Sequence, residues 1–167
     1  GWSGACTGTG ACNVTMDAGK SVTATFDNPP RLANISTRMQ VLTGNDVMIG
    51  GFVIGGSTTK RVAIVATGPS LVPFGIPNAL ANPTLSLVRS SDQAVLATND
   101  DWGVSPTALH LAASGFAPTH PQEAGLYVTL PPGAYTAVLE GFGGGTGIGI
   151  AAVYEVDQPA SPLVNIS

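Results

Sequence analysis

Charge is what this sequence has least of. Only 10% of its 167 residues are charged, six Lys and Arg against ten Asp and Glu, for a formal net charge of -4. A nucleic-acid-binding surface needs a basic stripe to neutralise phosphates, and six dispersed cations do not make one. Nucleic acid is therefore excluded as a partner. No apolar run approaches the roughly 20 residues of a membrane-crossing helix, so membrane insertion is not expected. The opening residues read as neither a signal nor a transit peptide, so the chain reads as mature or as a piece of something longer. Histidine is nearly absent too. His110 and His120 are the two in the chain, and neither neighbourhood supplies the nucleophile and orienting partner that a general base requires. No catalytic residue is assigned, and the chain is not expected to be an enzyme.

What is abundant is the vocabulary of strands and tight turns. The chain has 22 Gly and 13 Pro, with Thr, Val, Ala and Ser filling much of the rest, which predicts an all-β protein of many short strands. Its length allows one full hydrophobic core plus an appendage. "RLANISTRMQV", "VMIGGFVIGG" and "KRVAIVATG" read as three successive strands. "GPSLVPFGIPNALANP", with four prolines, reads as a long packed loop, and "TLSLVRSSDQAVLATND" as a hairpin turning at "SSDQ". "AGLYVTL", "GAYTAVLEGF" and "TGIGIAAVYEVD" supply three more strands. One helix signal stands among them: Ser105 as N-cap, Pro106 at the first helical position and Gly115 just past the end. The expected fold is a β-sandwich or jelly roll with one short helix, preceded by an N-terminal β-hairpin. The expected divisions are residues 1–26 for the hairpin, 27–31 for a linker, 32–160 for the sandwich, and 161–167 for the first strand of a following repeat or an exchanged strand.

In the N-terminal segment, "CTGTGAC" sets Cys6 and Cys12 on either side of a Gly/Thr turn, which suits a disulfide and with it an oxidising, extracytoplasmic compartment. Two reduced buried thiols are the alternative. The runs Asn13 to Met16 and Ser21 to Phe26 alternate on either side of "DAGK" and read as the two strands of the hairpin. "GWSGACTGTGACNVTMDAGKSVTATF" resembles the end of the InlB-type repeat of large secreted bacterial proteins, in its Trp-Ser-Gly, paired Cys, "VTM" and "VTATF". "RLANISTR", "GFVIGG", "ATGPSL", "NDDWG", "LPPGAYTAVLEG" and "VYEVD" resemble a module repeated in tandem in secreted bacterial proteins. The stretch from "LSLVRSSDQAVLATNDDWG" to "LPPGAYTAVLEG" is also similar to the pre-peptidase C-terminal domain, a jelly roll appended to secreted proteases. These resemblances imply a bacterial extracellular or cell-surface protein.

The chain also repeats itself. Leu163, Asn165, Ile166 and Ser167 restate Leu32, Asn34, Ile35 and Ser36 at a separation far beyond the roughly 20–50 residues of a solenoid unit, as expected for beads on a string. A lone strand and a lone hairpin both need a sheet edge to join. Together they predict a structural subunit or repeat that assembles head-to-tail into a filament by strand augmentation. The residues expected to carry it are Val14, Met16, Val22 and Phe26 in the hairpin and Leu163, Val164, Asn165 and Ile166 in the last strand. Coincidence, or pairing of the last strand within its own chain, would also account for the repeated words.

The alternative function is an accessory module for calcium-dependent adhesion or glycan binding. Asn99, Asp100 and Asp101 in "TNDDWG" are oxygen donors of the kind Ca²⁺ takes, six to eight at a time, and the pre-peptidase resemblance associates a similar acidic loop with calcium. The competing reading is an Asx-turn that caps the following segment. Asp46, Asp92 and Glu123 are further oxygen donors that nothing in the sequence draws to the same place. Trp2 and Trp102 are the candidates for stacking on a sugar. Ser70 in "GPSLV" lacks the glycine-flanked elbow of a nucleophilic serine and reads as a turn residue. "GFGGGTGIG" opens no helix and lacks the Lys-Ser/Thr of a phosphate loop.

Overall fold

The computed structural model describes residues 1–25, 32–157 and 162–166, and its contacts divide the chain into two compact units, Gly1–Pro30 and Arg31–Ser167.

In the first unit, β1 (Trp2–Gly4) and β2 (Val22–Ala24) pair antiparallel, with Trp2 opposite Ala24 and Gly4 opposite Val22. Cys6 and Cys12 are disulfide-bonded, their Cα atoms 5.7 Å apart, as the sequence predicts. The hairpin is a different one from that expected. Residues 11–16 form no strand, and the partner of β2 is β1. The disulfide loop is the reason: it returns the chain past Trp2, whose backbone N–H donates to Gly8 O and whose ring N–H donates to Gly10 O at 2.8 Å. That places Trp2–Gly4, rather than Asn13–Met16, alongside Val22–Ala24. Gly4 lies at φ 92, and a Cβ there would meet Ser21 O at 2.3 Å, so only glycine allows the close pairing.

The second unit is the sandwich. Its strands are β3 (Asn34–Val41), β4 (Met48–Ile54), β5 (Lys60–Thr67), β6 (Pro83–Arg89), β7 (Ala94–Asn99), β8 (Ala124–Leu130), β9 (Gly133–Gly141), β10 (Gly147–Glu155) and β11 (Leu163–Ile166). They form two antiparallel sheets, β3-β10-β5-β8 and β11-β4-β9-β6-β7. Alternation decides which side chains face inward. Val62, Ile64 and Ala66 of β5 meet Leu85, Leu87, Leu139 and Met48 of the other sheet in the main core. The remaining face of β5, Ala63 and Val65, is covered by Leu111 and the partly buried Trp102 and Phe116. Its near-continuous apolar run is that of a strand covered on both faces. Phe52 and Tyr135, opposite each other on β4 and β9, stack at 5.6 Å, and the Tyr135 hydroxyl donates to Pro131 O.

The helix, α1 (Ala108–Ala113), begins two residues later than its sequence signal suggests, with Thr107 rather than Ser105 at the N-cap. Ser105 Oγ accepts from the Thr107 N–H and fixes a turn before the helix instead of capping it. Gly115 follows the end at φ 80, as expected. The proline-rich loop carries a short 3-10 helix, Pro69–Phe74, closed by Gly75 at φ 85.

The final strand differs most from expectation. β11 pairs antiparallel with β4 of its own sandwich, Leu163 opposite Ile54 and Ile166 opposite Phe52. Leu163 is 2% exposed and belongs to the main core. The strand has therefore found an edge within its own chain, for the ordinary reason that a buried leucine needs a core.

Candidate functional site

Two places on the sandwich bring sequence-singled residues together. The first is the edge of the five-stranded sheet. β11 covers β4 only at Phe52–Ile54, with a register shift between Leu163 and Asn165. Among the described residues, no strand pairs with the outer edge of Met48–Gly51. Behind that stretch the two sheets part into an apolar cleft of about 200 Å³ lined by Ile35, Thr37, Gly50, Gly51, Ala137 and Ala151. Its cause is residue size. Gly50 faces Ala137 across the strand pair, and a Cβ on Gly50 would find nothing closer than Ala137 O at 4.0 Å. Val164 is 53% exposed on β11, and a Cβ on Gly55 would stand 2.9 Å from Val164 Cγ1.

The second place is the cleft of about 500 Å³ that holds Asn99, Asp100 and Asp101, with Thr84, Ser86 and Phe142 on its walls. β7 ends there and the chain turns. Asn99 does the turning: its Oδ1 accepts from Gly125 N–H at 2.7 Å and its amide donates to Asp101 O at 3.1 Å. The Asn82 amide, turned to donate, reaches Asp100 Oδ1 at 3.3 Å and Gln122 O at 2.9 Å. Burial, and then the charge of Asp101, raises the Asp100 carboxyl above the usual carboxylate range. Asp101 Oδ1 is buried without a hydrogen-bond partner. Asn99 thus already serves the fold, leaving two carboxylates to face an ion. Among the described residues, no group of three or more His, Cys, Asp or Glu forms a metal site. Six to eight oxygens around Ca²⁺ would have to be completed largely by water. Asp46, Asp92 and Glu123 do not line this cleft.

The chain is distantly similar to a pre-peptidase C-terminal domain. That domain belongs to the collagenase of Bacillus anthracis; the alignment covers 76% of this chain and 99% of the domain, at 16% identity and a TM-score of 0.45. No family model and no curated protein matches the chain. Among the described residues, no helix is long and apolar enough to cross a membrane.

The two histidines and Ser70 have structural partners. His110 stacks on Tyr127 at 5.6 Å, and His120 Nδ1 accepts from the Gln122 N–H. Ser70 Oγ donates to Glu123 Oε1 at 2.5 Å, holding a turn as expected. Trp102 packs against the second core cluster rather than standing clear for a sugar. In the first unit, Val14 is half-buried while Met16 and Val22 are exposed; Phe26 lies outside the described residues, as do the side chains of Asn165 and Ile166.

Sequence reasoning named Glu123 only as a stray oxygen donor and passed over Lys60, and the structure buries both. Glu123, fully buried, accepts from Gly68 N–H, Ser70 N–H and Ser70 Oγ through Oε1 and from His120 N–H through Oε2. Lys60, also fully buried, meets Glu155 Oε1 at 2.8 Å and Asp157 Oδ1 at 3.7 Å. A signal for the second was present in the alternation. Lys60 is in phase with Val62, Ile64 and Ala66, and Glu155 with Ala151 and Val153, so both point where only a paired charge is tolerated.

Proposed function

We propose that this chain is a non-catalytic structural module of an extracellular bacterial surface protein that assembles head-to-tail by exchange of β11. Each copy lays its last strand on β4 of the next, so the contacts made within one chain are remade between two. The observation that carries this reading is the short pairing of β11: a four-residue strand anchored by Leu163, with three pairing positions and a register shift at an edge with unpaired β4 beyond it. A closed and an exchanged strand have nearly the same contacts, so concentration decides between them. The disulfide of the N-terminal unit suits an oxidising compartment, and exposed Met16 and Val22 offer further apolar contact between copies.

The test is a mixed cross-link. Gly55→Cys and Val164→Cys chains are refolded together and oxidised, and a mixed covalent dimer, resolved by mass, is expected in a yield that rises with protein concentration. The double variant shows that the pair can bond. Monomers alone in the mixture, with closure inside each double-variant chain, overturn the proposal.

A second reading is favoured by the unpartnered Asp101 Oδ1 beside Asp100. Two carboxylates and water would hold Ca²⁺ weakly, in the range of extracellular modules, and the cleft would serve adhesion to a glycan. Calcium titration by calorimetry tests it: heat that survives in Asp100→Asn/Asp101→Asn removes the site, and silence on a glycan array removes the adhesion.

A further inference from the structure

We propose that Lys60 and Glu155 condense into an intramolecular isopeptide bond, with Asp157 carrying the proton. The residues sit at one end of the four-stranded sheet, Lys60 at the start of β5 and Glu155 at the end of β10. The register sets Val62 opposite Glu155, so Lys60 lies one same-face step further along and its side chain reaches back to the carboxyl. Lys60 Nζ is 2.8 Å from Glu155 Oε1, with the two side chains 0% and 5% exposed. Nucleophile and electrophile are thus held together where water is scarce, the condition under which proximity most accelerates a condensation. Asp157 closes the other side: its Oδ1 is 3.7 Å and its carbonyl 3.4 Å from Nζ, and the Arg61 N–H donates to its carboxylate. A buried ammonium and carboxylate are costly to desolvate even when paired, and an amide abolishes both charges.

The step balances without another reactant. The ammonium gives one proton to Glu155, and the freed nitrogen lone pair forms a bond to Cδ as the carbonyl π pair moves to oxygen. Asp157 Oδ1 takes a second proton from nitrogen and passes it to the hydroxyl, which leaves as water while the carbonyl re-forms. The product ties neighbouring strands β5 and β10 covalently, which would resist pulling along an assembled chain.

Intact mass of the full chain, denatured after prolonged incubation while folded, decides the matter. The expected mass is one water below that of the disulfide-bonded sequence, with tandem fragmentation joining the Lys60 and Glu155 peptides. Glu155→Gln is expected to lose ammonia instead and so converge on the same final mass as the parent, whereas Lys60→Arg loses nothing. A parent mass without the loss, or with the loss mapped elsewhere, overturns the proposal whether or not either variant folds.

Discussion

At Glu123 a single carboxylate accepts four hydrogen bonds and joins the start of the proline-rich loop to the turn before β8. Hydrogen bonds to a charged group contribute about 1.5–3 kcal/mol each, and stranding their buried donors adds a penalty. Glu123→Ala is therefore expected to cost about 3 kcal/mol or more, read as a lower urea midpoint. Asp92 is the exposed counterpart. Arg89 donates to it at 2.9 and 2.6 Å. The hydrogen bond from the Arg89 side chain, followed by that from the Ala94 backbone and by the guanidinium charge, lowers its carboxyl to about 2. A depressed carboxyl contributes stability that is complete above its unfolded value near 3.9 and disappears as pH falls through about 2. Carboxyl NMR titration is expected to show a midpoint near about 2 for Asp92 and a return toward about 3.9 in Arg89→Ala. An unmoved midpoint in the variant would show that Arg89 is not the cause.

Among the elements, β11 separates what its two described side chains do. Leu163 is in the core and Val164 is on the surface. Leu163→Ala removes buried methyl groups and is expected to cost about 3 kcal/mol, while Val164→Ser stays within about 0.5 kcal/mol; thermal or urea unfolding of the two variants checks this. β3 to β10 could be read from sequence because they combine alternating or continuous apolar residues with bounding Gly, Pro, Asn or Asp, and β5 with its two covered faces is the clearest. The N-terminal pairing could not be read that way. Asn13–Met16 alternates as well as any strand, and the disulfide itself is legible in "CTGTGAC", but the Trp2 N–H bonds to Gly8 O and Gly10 O that bring Trp2–Gly4 beside Val22–Ala24 leave no pattern of their own in the sequence. The start of α1 moved for a similar reason, because Ser105 hydrogen-bonds a turn before it reaches a helix. At the acidic cleft, the three residue types stood together in the sequence. Their division of labour, with Asn99 committed to Gly125 and the Asp101 Oδ1 left without a partner, depends on β8 being alongside.

At the scale of the whole molecule, the chain holds two units stabilised by different means. The sandwich is held by a core drawn from both sheets. The N-terminal unit has two strands of three residues and mostly exposed side chains, and segments below about 40 residues rarely fold without a staple. Its staple is the Cys6–Cys12 disulfide, which by loop-closure entropy contributes about 2–3 kcal/mol for so short a loop. That is the full scale of stability a two-stranded hairpin can have, so reduction should open this unit completely while leaving the sandwich folded. Hydrogen exchange after treatment with a reductant reads the outcome residue by residue. The amides of Trp2, Ala5 and Thr25, which donate to Gly8 O, Ser21 O and Gly1 O, are expected to lose protection, and those of Val62 to Val65 in the middle of β5 to keep it. If the β5 amides became exposed along with them, the two units would be one cooperative structure, and the disulfide would be a support of the core rather than of the hairpin alone.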